Sequence, residues 1–186
     1  MPDKPFSQAC ENNKEPILAV LREHLDPPGT LLEIGSGTGQ HAAWLSGFFP
    51  GIDWQPTDVP DALPGIWAWL AEQAPRNARE PLVLDVRGRW PERRFDYIFT
   101  ANTFHIMDAD SVRRCIEQAG LHLNAGGLFL AYGPFRYQGR CSESNERFDA
   151  VLRERDPRSG LREFDWIREL MEARGLEPLA DHAMPA

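Results

Sequence analysis

Apolar positions recur along the chain with two periods, and the switches between them mark out the elements. Ile17, Leu18, Leu21 and Leu25 fall three to four residues apart, which predicts a helix over 14–26 that "DPPGT" stops. "TLLEIG" reads as a short apolar strand, "HAAWLSGFF" as the helix after it, and "GIDWQPTD" as a second strand with an acidic end. Another helix is expected in "DALPGIWAWLAEQA", confined to its later part by Pro64 and Gly65. "PLVLDV" predicts a buried third strand and "RFDYIFTANTFHI" contains a fourth. Helical spacing returns over 109–123, with Val112, Ile116 and Ala119 facing inward; "NAGG" is expected to close that helix before a fifth strand, "GLFLAYGPF". The polar run from Arg136 to Asn145 has no period and predicts an exposed loop, long enough for a lid over 136–147. Helices through Phe148, Val151 and Leu152 and through Trp166, Ile167, Leu170 and Met171 complete the pattern.

Strand and helix thus alternate, which predicts an α/β fold over 1–186: a doubly wound, mostly parallel sheet with helices on both faces. Ligands in such sheets bind at the carboxyl ends of strands where the strand order reverses. Composition narrows the ligand. With 28 acidic and 20 basic side chains the net charge is −8, which speaks against an extended nucleic-acid surface. No apolar run is long enough to span a membrane, and "MPDKPFSQACENN" does not read as a signal peptide. Cys10, Cys115 and Cys141 are odd in number and scattered, which argues against a disulfide scaffold and favours a cytoplasmic protein. His24, His122 and His182 are equally scattered, so no metal site is expected.

After the first strand Gly35, Gly37 and Gly39 form a turn that lets backbone approach a ligand closely. Glycine spacing alone does not choose the ligand. Glu33, two residues before Gly35, is a poor neighbour for a pyrophosphate and a good one for an ammonium group. Asp58, nineteen residues after Gly39, ends the second strand, where a carboxylate can take two ribose hydroxyls. Asp85, near the end of the third, can accept an adenine amino group. An adenosine carrying an amino-acid tail fits all three, and that ligand is S-adenosylmethionine.

The arrangement resembles the class I S-adenosylmethionine-dependent methyltransferases over essentially the whole chain, through E-x-G-x-G-x-G and the acidic ends of strands two and three. The resemblance implies a Rossmann-like sheet, with Gly35, Ser36, Gly37 and Gly39 against the methionine moiety, Asp58 on the ribose, and Asp85 with Val86 around adenine. More closely, "ENNKEPIL", "LEIGSGTGQHA", "WQPTD", "YGPFR", "SNERFDAVLRERDP" and "MPA" resemble the methyltransferase-like protein 26 family. That family implies Asn13 and Lys14 near the cofactor and a final antiparallel strand, which is expected to lie beyond Ala186.

A sulfonium methyl is already activated, so the protein has mainly to align an acceptor and exclude water. His105 can face the acceptor or act as base, with Asn102 beside the methionine moiety. Tyr132 and Arg136 end the fifth strand, where Arg136 can hold a carboxylate or phosphate. Tyr137, Ser144 and Asn145 are further contacts on the loop, and His41 lines or caps the helix after the glycines. Trp67 and Trp69, two apart on a helix, cannot share a face. The reading is a methyltransferase for a small-molecule acceptor, with no nucleic-acid or membrane partner, as monomer or homodimer. A cofactor-binding adaptor without catalysis and an NAD-dependent oxidoreductase are the alternatives.

Overall fold

The computed structural model describes residues 4–184. Five parallel strands form one sheet: β1 (Gly29–Ile34), β2 (Ile52–Asp58), β3 (Leu82–Val83), β4 (Phe95–Ala101) and β5 (Leu123–Tyr132), in the order β3-β2-β1-β4-β5. The order reverses between β1 and β4, so a crevice opens at their carboxyl ends. Helices cover both faces, as expected of a doubly wound sheet.

Side-chain alternation divides the core. Leu32 and Ile34 of β1 and Ile98 of β4 pack with Val112, Cys115, Ile116 and Ala119 of α4 (Ala109–His122) and Ile167 of α6 (Phe164–Glu172). On the other face Leu31, Trp54, Tyr97 and Phe99 pack with Ile17, Leu18 and Leu21 of α1 (Gln8–His24) and Ala42 and Leu45 of α2 (Gln40–Leu45). Trp69 of α3 (Leu63–Gln73) is buried, whereas Trp67 is exposed, the division expected of residues two apart.

Five boundaries depart from the sequence pattern. Helix α1 begins at Gln8, not at residue 14, because the Ser7 hydroxyl caps it by accepting from Cys10 N at 3.3 Å. Pro16 therefore lies inside the helix, and Asn12, Asn13 and Lys14 are helical. Pro64 falls in the first turn of α3, where its missing N–H costs nothing, so that helix is not confined to its later part. The expected buried third strand is two exposed residues at the sheet edge; Leu84 and Val86 are buried but lie past them, with Leu84 N still donating to Asp58 O at 2.9 Å. "NAGG" does not end a helix. It is an irregular start to β5, opposite a register shift between Phe95 and Tyr97, with Gly126 at φ +78° and Asn124 Nδ2 donating to Asp96 Oδ1 at 2.8 Å.

The expected lid is the fifth departure. Phe135–Arg136 (β6) pairs with Arg162–Glu163 (β7), and Ser142 caps α5 (Glu143–Arg155), so only 137–142 is loop. Helix α5 has a weak apolar stripe because much of its anchoring is ionic. Asp149 is buried and accepts from Arg136, Arg153 and the Leu161 N–H. Among the described residues the sheet contains no antiparallel strand, and no helix is long and apolar enough to cross a membrane.

Candidate functional site

The crevice is a cleft of about 1970 Å³ that continues along β5. Its floor is the turn after β1. Gly35, Gly37 and Gly39 have φ of +70°, +57° and +90°, values that L side chains avoid. A Cβ on Gly35 would stand 2.8 Å from Thr103 of the turn after β4, and one on Gly39 would stand 2.6 Å from Ile66 Cα. Gly37 meets nothing within 4 Å, so the glycine farthest from the walls faces open space. Ser36 ties the turn to β2, with its N–H donating to Thr57 O at 3.0 Å and its hydroxyl accepting from Thr57 N at 3.2 Å.

Asp58 closes the far side. Its two oxygens accept from Gly37 N and Val59 N, both at 2.7 Å, which fixes the carboxylate across the turn. Burial raises its pKa, and the two N–H bonds offset part of that. Each carboxylate oxygen has lone-pair capacity beyond one N–H, so a diol can still be received there. Asp85 and Val86 also line the cleft, but the Asp85 carboxylate already holds Arg87 through Nε at 3.2 Å and Nη2 at 3.0 Å. That pairing keeps it below the ordinary carboxylate range, and an adenine amino group would have to share it.

Glu33 lies beneath the turn and is 1% exposed, with Trp54 Nε1 donating to its carboxyl at 2.6 Å. Burial pushes its pKa up to about 7, against the opposing Trp54 bond and with help from the Asp58 charge. Asn13 and His41 are buried at the same end, His41 Nε2 2.7 Å from Asn13 Oδ1, and burial drives His41 down to about 4. Burial raises the pKa of Tyr132, and the Asn13 side chain beside it offsets part of that. Lys14 does not join them. Its ammonium pairs with Glu11 and lies 5.1 Å from the centre of the Trp44 ring.

Beyond the carboxyl end of β4 Asn102 takes φ +57° and donates its N–H to Tyr132 O at 2.8 Å. His105 lines the cleft almost fully buried, edge-on to Phe148 with ring centres 5.2 Å apart. Burial, then the Arg162 charge, lowers its pKa to about 4, so the ring is neutral at pH 7. The turn holding it is bolted down by Arg162, which donates to Phe104 O at 3.2 Å and to the Met107 carbonyl. Tyr137, Ser144 and Asn145 line the cleft as well. Arg136 does not line it. Both its Nη atoms reach Glu146 at 2.7 Å and Nη2 reaches Asp149 at 3.0 Å, so its guanidinium anchors α5 instead of facing a ligand.

Sequence reading missed Trp54 as the partner of Glu33, Thr103 as the wall behind Gly35, and Arg162. Only the strand register could have joined the first pair, since Glu33 faces Pro56 and Trp54 stands two residues earlier on β2. It also took the histidines as scattered. The fold brings His24 and His182 to an Nε2–Nε2 distance of 3.3 Å, with Glu23 close enough that the three ligand atoms lie within 4.8 Å. Glu23 and His182 are exposed and His24 is half-buried, so these three ligand atoms lie at the surface.

Comparison with known proteins agrees with the fold. Residues 4–186 match the family described as "Protein of unknown function (DUF938)", and the chain belongs to it. Among solved structures it is similar to an O-methyltransferase family protein from Burkholderia thailandensis, at 16% identity and TM-score 0.79, covering 90% of this chain and 52% of that one. The S-adenosylmethionine-dependent methyltransferase SibL in its apo form matches at 18% identity and TM-score 0.80, over 96% of this chain and 52% of that one. Human N-acetylserotonin methyltransferase in complex with S-adenosylmethionine matches at 17% identity and TM-score 0.71, over 90% and 47%. The chain spans about half the length of these structures. At such identities the likeness shows the fold, which is that of the class I methyltransferases.

Proposed function

We propose that this protein is an S-adenosylmethionine-dependent methyltransferase that transfers a methyl group in line to a small-molecule acceptor. The observation that carries the reading is the pairing of Asp58, pinned across the glycine turn by Gly37 N and Val59 N, with the buried carboxyl of Glu33 beneath that turn. Asp58 would take a ribose in either kind of nucleotide cofactor, so Glu33 is what separates them. A pyrophosphate on the turn would lie over its carboxyl group. A cation with a ribose diol meets complementary groups. On its sequence motifs we further propose that the chain is close to the methyltransferase-like protein 26 family, and on its scattered cysteines that it is cytoplasmic.

The residues present fit the cofactor. Gly35, Ser36, Gly37 and Gly39 offer backbone to the methionine moiety, Asp58 takes the ribose, and Asp85 with Val86 borders adenine. Asn13, His41 and Asn102 border the methionine end. When bound, S-adenosylmethionine supplies an activated methyl group. The chain's own work is alignment and exclusion of water. His105, kept neutral by burial, can accept the proton of a hydroxyl or amine acceptor, and Tyr132 can orient it. Arg136 contributes by fixing α5, and with it Phe148, against His105.

Calorimetric titration with S-adenosylmethionine and with NAD tests the assignment. Saturable binding of the former and none of the latter is expected. NAD binding without S-adenosylmethionine binding refutes it and returns the fold to a dinucleotide enzyme.

A further inference from the structure

The stretch "SNERFDAVLRERDP", residues 144–157, supplies no ligand to the proposed cofactor site, yet with the residues after it the chain closes around the turn that carries His105. Four successive carbonyls of that turn are taken by a connector of four residues. Arg162 Nε donates to Phe104 O at 3.2 Å, Gly160 N to His105 O at 2.9 Å and Ser159 Oγ to Ile106 O at 2.8 Å. Arg162 Nη2 completes the set on the Met107 carbonyl. Ser159, Gly160 and Leu161 are buried, so the connector's donors face the turn and not water.

Helix α5 holds the connector from behind. Asp149 Oδ1 accepts from Leu161 N at 2.6 Å, while its Oδ2 accepts from Arg136 and Arg153. Gly160 has φ +134°, and a Cβ there would stand 2.7 Å from both Asp149 Oδ1 and Arg153 Nη2. Only glycine lets the chain pass so close to the carboxylate. Phe148, the neighbour of Asp149, meets the His105 ring itself, edge-on with centres 5.2 Å apart.

A histidine that handles protons is commonly oriented by a hydrogen bond to its second ring nitrogen. Among the described residues His24, His41, His122 and His182 make ring-nitrogen hydrogen bonds, and His105 makes none. Its ring is aimed instead by its backbone and by Phe148. Arg162 suits that task because its planar fork spans two carbonyls three residues apart, which an ammonium group does not.

We propose that Ser159, Gly160 and Arg162 are positioning residues that hold the backbone of the His105 turn, so that Asp149 and α5 set where the His105 imidazole stands in the cleft. The role of that imidazole rests on the methyltransferase reading; its placement does not.

The test is therefore made on the protein without cofactor, following the carbon-bound ring protons of His105 by NMR. His105→Gln identifies its signals among those of the five histidines. Phe148→Leu defines the displacement that the edge-on aromatic ring imposes on them. Arg162→Lys keeps the charge and loses the fork, and Ser159→Ala changes no charge and frees the Ile106 carbonyl. Each is expected to lose part of that displacement, Arg162→Lys the larger part, while His24 and His182 keep their positions. A merely structural connector would lower the melting temperature of both variants and leave the His105 signals where they are in the wild type. Unmoved His105 signals in either folded variant overturn the proposal. A shift shared by all five histidines marks a general loosening and overturns it as well. Failure of the wild type to bind S-adenosylmethionine refutes the functional reading alone and leaves this placement standing.

Discussion

Replacing Glu33 by glutamine is expected to stabilise the protein progressively as pH rises while weakening its hold on a cationic ligand. Unfolded, Glu33 loses its proton near the ordinary 4.5; folded, it keeps the proton to about 7. Between those values the native state holds the extra proton, so wild-type stability falls as pH rises. Below about 4.5 both states are protonated and the difference vanishes; above about 7 the whole loss is present. At about 1.4 kcal/mol per tenfold in proton affinity, the loss reaches about 3 kcal/mol at pH 8 and about 1 kcal/mol at pH 5. Glutamine removes the titration. Its extra N–H can itself go unpaired, a cost of about 1–3 kcal/mol that is the same at every pH. The informative quantity is therefore the widening between variant and wild type, about 2 kcal/mol from pH 5 to pH 8. Urea unfolding at a series of pH values measures it, and with a slope of about 2–3 kcal/mol per molar the midpoints should separate by a further ~1 M. Parallel pH profiles would refute the assignment of a raised pKa to Glu33. The companion measurement is titration with S-adenosylmethionine at pH 8. Weaker binding by the more stable variant assigns the buried charge to the ligand, and unchanged binding assigns it to the scaffold.

Asp58→Ala should weaken S-adenosylmethionine binding about tenfold or more, since a partly buried carboxylate that receives the ribose is lost; unchanged affinity in calorimetry removes Asp58 from the site. Gly39→Ala meets both a φ of +90° and Ile66 Cα at 2.6 Å, whereas Gly37→Ala meets only an unfavourable φ of +57°. Chemical denaturation should show the first losing about 3 kcal/mol or more and the second about 1–2 kcal/mol, and equal losses would contradict the packing described for α2 and α3. His105→Ala should lower turnover of S-adenosylmethionine more than its affinity; the reverse pattern in steady-state kinetics and titration would move His105 from the acceptor to the cofactor.

The readable parts of the fold were those whose side chains obey one strong period. Val112, Ile116 and Ala119 announce α4 because one helix face is buried, and the acidic end of "WQPTD" announces the end of β2 because Trp54 to Thr57 before it are buried on both faces. Helix α5 was readable through Phe148, Val151 and Leu152, but neither its start at Glu143 nor its anchoring by charge was. Helix α5 is secured by Asp149 to Arg136, Arg153 and Leu161 N, and this partner set is apparent only once the chain has folded. The start of α1 was hidden for a related reason: Pro16 suits a first helical turn, and nothing local reveals that Ser7 caps the helix earlier. Within the candidate site, the glycine turn and Asp58 were legible because they act through backbone and spacing. Lys14 and Arg136 were misplaced because a cation's position depends on which carboxylate claims it. Glu11, one turn before Lys14, is a partner the sequence does offer; Glu146 and Asp149, across a loop from Arg136, are not so evident.

The distribution of buried polar groups carries the argument one step further. On the face of the sheet covered by α4 and α6, the central cluster of Leu32, Ile34, Ile98, Val112 and Ile116 is apolar, which is what stability alone selects. On the opposite side and at the carboxyl ends, Asn13, Glu33, His41 and His105 are all nearly inaccessible. Glu33 resists ionisation, and His41 and His105 resist protonation, because burial disfavours their charged forms. Each therefore costs stability that an apolar residue of similar size would not. These four come from α1, β1, α2 and the turn after β4, separate in sequence, and three of them line the cleft while the fourth lies just beneath it. A scaffold has no use for that convergence. The proposed site, which would recognise a cation and settle the proton of an acceptor, does, and the destabilisation is retained where that chemistry would be placed.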